Sequence, residues 1–373
     1  MVIQKELKKW SKDTVASYLT QVNSIGENLA TSFYNQSDLS RVKDCELMII
    51  GINPGCGCIF SEWTLKDRIT EDFLYYGNPC FRKKDGSIMS DEEIISNYYE
   101  KYDSQKRKYG WDLMKKIHKM LDYSGKGEIV KQLDKFVFTN MVFFGTYKEG
   151  QIPKGINQEE CAKQTIALID ILRPKLILLL GVKCKNLFEK TLNIKMKEIE
   201  ASNLSYFRLK GSYVFAIRHT ARFYSNVKCE EISKTICYAL DFPDKFEEKF
   251  RLIQLKHKIG SHDSIQWINA QGTLIHEYWC MGKDGCKKEN GTISVGLKIN
   301  DNKQYVLSVF SKGNHPDKFE RMICDYCNKS DLLISDRDLS YLIDISTDDE
   351  SIVEFINILL QKMKEYRETD FPV

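Results

Sequence analysis

The run Cys45-Glu46-Leu47-Met48-Ile49-Ile50-Gly51-Ile52-Asn53-Pro54-Gly55 constrains the fold of this chain more than any other stretch. Its apolar part is too short for a stable helix and is bounded by Gly and Pro, as suits a strand buried on both faces of a parallel sheet. The loop outside the carboxyl end of such a strand is where α/β sheets build their sites. Asn53 brings both a carbonyl acceptor and an amide donor to that loop. Pro54 fixes its own φ and pushes Asn53 towards extended backbone. Gly51 and Gly55 let the main chain approach a ligand closely. Two readings fit these residues: a ligand-binding loop, or an ordinary Asn-Pro-Gly turn.

Three further strands follow the same grammar. Phe136–Asn140 ends in a polar residue, Arg173–Gly181 is entered by Pro174 and left by Gly181, and Tyr213–His219 ends in a His. Helical periodicity separates them. It predicts helices within 1–44 and over Asp91–Asp103, Trp111–Leu121, Gln158–Leu172, Val182–Leu192 and Glu230–Leu240. Strand–helix alternation predicts a three-layer α/β/α fold around a central, mainly parallel, four-stranded sheet. A boundary falls near Asp241-Phe242-Pro243, dividing the chain into residues 1–240 and 241–373. An amphipathic helical segment, Lys245–Lys258, follows it. Beyond that the pattern changes to hairpin strands over Thr292–Leu297 and Tyr305–Phe310, a strand at Ser340–Ile345 and a helix at Ser351–Tyr366, which is an α+β accessory domain.

Charge separates the same two parts. Residues 241–373 hold 18 basic and 23 acidic side chains, leaving 37 basic and 29 acidic in 1–240, a net of +8 where the strand-end motifs lie. That balance favours a polyanion such as DNA as the partner of the first part. No signal peptide or membrane span is expected, because the longest apolar run, Leu176–Leu180, is too short to cross a bilayer. Twelve cysteines scattered among many Lys and Glu suit a reducing cytoplasm better than a disulfide framework.

Gly51-Ile52-Asn53-Pro54-Gly55 resembles the first motif of the mismatch-specific branch of the uracil-DNA glycosylase superfamily. The Arg173–Gly181 element is similar to a central strand of several branches, and the resemblance runs from about residue 40 to residue 240. It implies a monofunctional glycosylase that flips a pyrimidine out of DNA and hydrolyses its base–sugar bond, leaving an abasic site. No Lys stands at a motif position to form a Schiff base, so strand cleavage is not expected. The alternative is a glycosylase-like module that binds nucleic acid with little or no turnover. A small-molecule enzyme is disfavoured by the lack of a Gly-rich phosphate loop.

The chemistry needs an extruded base, a held water and donors to the departing base. Asn53 is the candidate for holding the water; otherwise it caps its own turn. His219 is the candidate donor to the base carbonyl, or else a packed histidine at a strand end. Where the family has His-Pro-Ser or Asn-Pro-Ser, this chain reads His219-Thr220-Ala221-Arg222-Phe223-Tyr224. Arg222, Phe223 or Tyr224 would fill the space left by the base. Gly51, Ile52, Pro54 and Gly55 would line the base pocket. Phe60 and Trp63 would provide its aromatic floor, or else both belong to a helix-packing cluster. Asn140 would pair with the pyrimidine edge, or else satisfy backbone groups of a buried turn.

The strictest uracil enzymes carry a Tyr at the position of Gly55. The small residue here implies tolerance of C5 substituents, as in superfamily members that remove bulky modified cytosines in phage defence. Catalysis is expected to need no cofactor. The paired cysteines that hold an iron–sulfur cluster in some branches are missing before Gly51. Cys280, Cys286, Cys324 and Cys327 offer a four-thiolate zinc site in the accessory domain, or are four separate thiols.

Overall fold

A computed structural model describes residues 2–25, 32–54, 69–83, 85–96, 111–146, 152, 154–199, 204–219, 224–247, 251, 255, 265–270, 273–279, 292–299, 305–312, 332–335, 338–343 and 348–370. The chain forms two compact units, Met1–Pro243 and Asp244–Val373. The first unit extends past Leu240 because its last helix runs to Asp241 and the Tyr213 hydroxyl donates to Pro243 O at 2.7 Å.

Its strands are β1 (Ser32–Phe33), β2 (Leu47–Gly51), β3 (Phe136–Asn140), β4 (Phe144–Gly145), β5 (Leu176–Leu180), β6 (Lys197–Ile199), β7 (Leu204–Leu209) and β8 (Ser212–Ile217). Its longer helices are α1 (Val2–Ile25), α2 (Trp111–Asp122), α3 (Gln158–Leu172), α4 (Val182–Leu192) and α5 (Asn226–Asp241). Six strands form one mixed sheet in the order β3-β2-β5-β8-β7-β6. β3, β2, β5 and β8 are parallel, and β7 and β6 continue the sheet antiparallel. The expected four-stranded sheet is therefore wider by two strands. β7 escaped notice because its outer half is partly exposed and polar, and β6 because it is three residues long with two of them exposed.

The parallel strands are buried throughout, from Leu47–Gly51 to Ser212–Ile217. That explains why their sequences run apolar instead of alternating. Met48, Ile50, Val137, Ile177, Leu179, Val214 and Ala216 join one core with Leu7, Trp10 and Tyr18 of α1, Leu168 and Leu172 of α3 and Phe188 of α4. Intervening strand residues such as Ile49, Phe138, Leu178 and Phe215 are equally buried, as are Met114 and Ile117 of α2 and Ile232 and Ile236 of α5. Each such side chain contributes about 1.5–3 kcal/mol on leaving water.

Local signals place the helices. Asn157 caps α3, its Oδ1 accepting from the Glu159 and Glu160 amides, and Arg173 ends the helix with φ 46°. Pro174 then leads directly into β5. Ser225 caps α5, which begins four residues earlier than expected. The helix expected over Asp91–Asp103 has a capping box at Ser90 and Glu93 and is described as α-helix only over Asp91–Ile94. Helix α1 ends at Ile25, so the helical reading of 1–44 gives way to β1 and a 3-10 turn at Leu39–Arg41.

The second unit holds a six-stranded antiparallel sheet. Thr292–Ile299 pairs with Tyr305–Lys312 as the expected hairpin, and Asp338–Ile343 lies on its other side. Strands at Ile265–Ala270, Thr273–Trp279 and Leu332–Ser335 extend this sheet, and a helix spans Asp349–Asp370. Among the described residues no helix is long and apolar enough to cross a membrane.

Candidate functional site

The strand order determines where a ligand can sit. From β2 the chain goes to β3 on one side and later to β5 on the other, so the order reverses between β2 and β5. Loops leaving these two strands diverge, opening a crevice at their carboxyl ends. Gly51 ends β2 and Gly181 follows β5. Asn140 ends β3, and Arg218 and His219 follow β8.

On the β2–β3 side the ladder continues beyond the strands. Met141 N–H donates to Gly51 O (2.8 Å), Val142 N–H to Ile52 O (2.9 Å) and Thr146 N–H to Pro54 O (3.1 Å). The half-buried Asn53 side chain crosses this ribbon. Its Nδ2 donates to Thr146 Oγ1 (2.8 Å), Pro54 O (3.0 Å) and Phe144 O (3.2 Å). Two of those partners are carbonyls, which only accept, so the amide nitrogen must face them. Oδ1, on the other arm of the amide, accepts no hydrogen bond among the described residues. The turn-capping and ligand-holding readings of Asn53 thus divide between the two ends of one amide.

Asn140 is 1% exposed, and its Oδ1 is buried with no hydrogen-bond partner among the described residues. A side chain that served only to satisfy a turn would be bonded to that turn. Its own backbone is held separately, Thr165 Oγ1 donating to Asn140 O at 2.8 Å. The side chain lies across Gly51, where a Cβ would stand 2.6 Å from Asn140 Nδ2. Gly51 is therefore required to make room for Asn140, a role distinct from the ligand approach expected of it. Cys184 Sγ of α4 donates to Ile50 O (3.2 Å), tying the end of β2 to that helix.

On the β5–β8 side the residues that follow β8, Arg218 and His219, are exposed. Gly181 adopts φ 85°, donates to Ile217 O at 2.8 Å and precedes α4. A Cβ on it would meet His219 Cβ at 3.3 Å. His219 is exposed, so the reading of it as a packed histidine does not describe this side chain. Tyr224 accepts a hydrogen bond from Arg218 N–H on its hydroxyl (2.8 Å), and the Arg218 guanidinium lies 5.3 Å from its ring centroid. Burial pushes the Tyr224 phenol above its ordinary pKa. Tyr224 thus holds both the backbone and the guanidinium of Arg218, the neighbour of His219.

Ile52 and Pro54 sit in the β2 loop as expected, Pro54 buried and Ile52 half-buried. Gly55, Phe60, Trp63, Arg222 and Phe223 lie outside the described residues, as do Cys280, Cys286, Cys324 and Cys327. No group of three or more potential metal ligands occurs among the described residues. Sequence reasoning missed Thr146, Gly181 and Arg218. Thr146 directly follows β4, and its place beside Asn53 depends on the pairing of β4 with β1 and on the Thr146–Pro54 hydrogen bond, neither of which leaves a local mark.

Searched against protein-family models, the chain matches none, and a search of curated proteins finds no match.

Proposed function

We propose that this protein is a monofunctional DNA glycosylase acting on an extruded pyrimidine: uracil, a mismatched base or a C5-modified base such as a bulky modified cytosine. The carrying observation is the Asn53 amide, held by three acceptors through Nδ2 and offering Oδ1 at the carboxyl end of β2. In this reading Oδ1 accepts a proton of a water and orients its lone pair at the sugar carbon. An amide is too weak a base to deprotonate that water fully. The transition state has oxocarbenium character, so most of the stabilisation must fall on the departing base. Asn140 and His219 would supply it, Asn140 at the pyrimidine edge and His219 at the carbonyl beside the leaving nitrogen. Their strands are three positions apart in the sheet, about 14 Å. That gap accommodates a six-membered ring between two side chains.

The finer architecture of this reading is a three-layer α/β/α catalytic domain with β3, β2, β5 and β8 as its core. Residues 241–373 form an accessory domain, with its four cysteines available to zinc. The partner is DNA, in a reducing cytoplasm. The exposure of His219 favours one alternative, a related module that binds nucleic acid with little turnover. Mass spectrometry of bases released from a panel of unmodified, uracil-containing, mismatched and C5-modified DNAs decides between them. Release of one base class, with the strand left intact, is expected. DNA binding without release of any base would select the binding module.

A further inference from the structure

Arg218 is set apart from the other exposed arginines of its unit by position: Arg173 precedes β5 and Arg208 packs on Tyr213 at 5.4 Å, both at the amino-terminal end of the parallel strands, whereas Arg218 follows the carboxyl end of β8. Arg41 pairs with Asp38 and Asp91, and Arg82 with Asp72. Arg218 is exposed and has no carboxylate partner among the described residues. It is nevertheless oriented, because its backbone N–H donates to the Tyr224 hydroxyl and its guanidinium packs on the Tyr224 ring. A stacked guanidinium keeps its N–H edges free in a fixed plane, the arrangement suited to bidentate contact with an oxyanion. Its position adds a second argument. Arg218 directly follows β8 and precedes His219, at the carboxyl edge of the sheet, within residues 1–240 that carry a net charge of +8.

We infer that Arg218 binds a backbone phosphodiester of DNA and that Tyr224 is the platform that orients it. The inference rests on the reading of this edge as the DNA-facing site and extends it to a residue with no part in the excision chemistry proposed above. It also assigns Tyr224 a positioning role, leaving Arg222 and Phe223 to enter the duplex.

The test is binding of the full chain to an unmodified fluorescent duplex across a salt series. Arg218→Gln is expected to weaken binding about 5-fold near 0.1 M salt and to flatten the log–log salt dependence by about 1, the signature of one lost phosphate contact. Arg218→Lys restores the slope, because the charge returns. Tyr224→Leu weakens binding with the slope retained, and the double variant Arg218→Gln/Tyr224→Leu binds no more weakly than Arg218→Gln alone. An unchanged slope in Arg218→Gln, or no DNA binding by the full chain, overturns the phosphate assignment. Additive losses in the double variant overturn the platform role. Base release is scored separately: the expected slope change without release of any base would remove the glycosylase reading and keep Arg218.

Discussion

The two halves of the carboxyl edge are built differently. On the β2–β3 side, Gly51, Asn53 and Asn140 are buried or half-buried and tied into a continuous hydrogen-bonded ribbon. On the β5–β8 side, Arg218 and His219 are exposed, and among the described residues Tyr224 holds the Arg218 backbone. A rigid, desolvated half suits groups that must hold a water or a base edge within tenths of an ångström. An open half suits groups that meet a large, charged surface. On the proposed reading this is a division of labour: the rigid half would hold the water and the base edge, and the open half would bring Arg218 to the polyanion, with His219 alone reaching back to the base.

The sharpest way to break that division is Asn53→Ala. Base release should fall about 100-fold or more, the scale expected on losing a preorganised polar group. Duplex affinity should stay within about 2-fold, because phosphate contacts dominate it. Single-turnover release and anisotropy measured on the same samples separate the two, and an equal loss in both would place Asn53 in binding.

Gly51→Ala should come next. Its Cβ would fall 2.6 Å from Asn140 Nδ2, so the side chain must move. Overpacking of this kind costs about 1–3 kcal/mol. A lowered melting temperature together with base release reduced at least about 10-fold is expected. An unchanged melt and unchanged release would mean that Asn140 has room the structure does not show.

Thr146→Val probes the anchor of the rigid half more gently. It removes the shortest of the three acceptors on Asn53 Nδ2. Loss of one hydrogen bond of about 1 kcal/mol corresponds to about 5-fold in rate. Thr146→Ser should recover that loss, and DNA affinity should not move in either variant. Loss in Thr146→Ser equal to that in Thr146→Val would make the methyl group, not the hydroxyl, the feature that matters.

The smallest effect is expected from removing the second unit. A fragment covering Met1–Pro243 contains both halves of the edge. It should fold and excise at close to the rate of the whole chain, with DNA binding that still weakens steeply with salt. A folded fragment without excision would show that residues 244–373 complete the site.

Much of this arrangement is written locally. Leu47–Ile50, Phe136–Phe138 and Leu176–Leu180 announce buried strands by unbroken apolar character, and the bounds of α3 and α4 follow from Asn157, Pro174, Gly181 and Asn193. Strand ends marked by Gly, Asn and His were enough to collect Asn53, Asn140 and His219 at one edge. β6 and β7 were not legible: β6 is three residues long with two of them exposed, and β7 loses its apolar character over a partly exposed, polar outer half.

The sequence by itself therefore determined which residues occupy the strand ends, since burial and chain reversal leave local marks in composition. Only the tertiary structure decided what each of them does there. That Gly51 makes room for Asn140, that the nitrogen of Asn53 is engaged by Thr146 and Phe144 while its oxygen has no partner among the described residues, and that Tyr224 supports Arg218 all depend on pairings between residues that are not neighbours in sequence. Hydrogen bonds and steric contacts are set by distances of a few ångströms. Such distances are fixed by strand register and loop closure, neither of which any single stretch of sequence encodes.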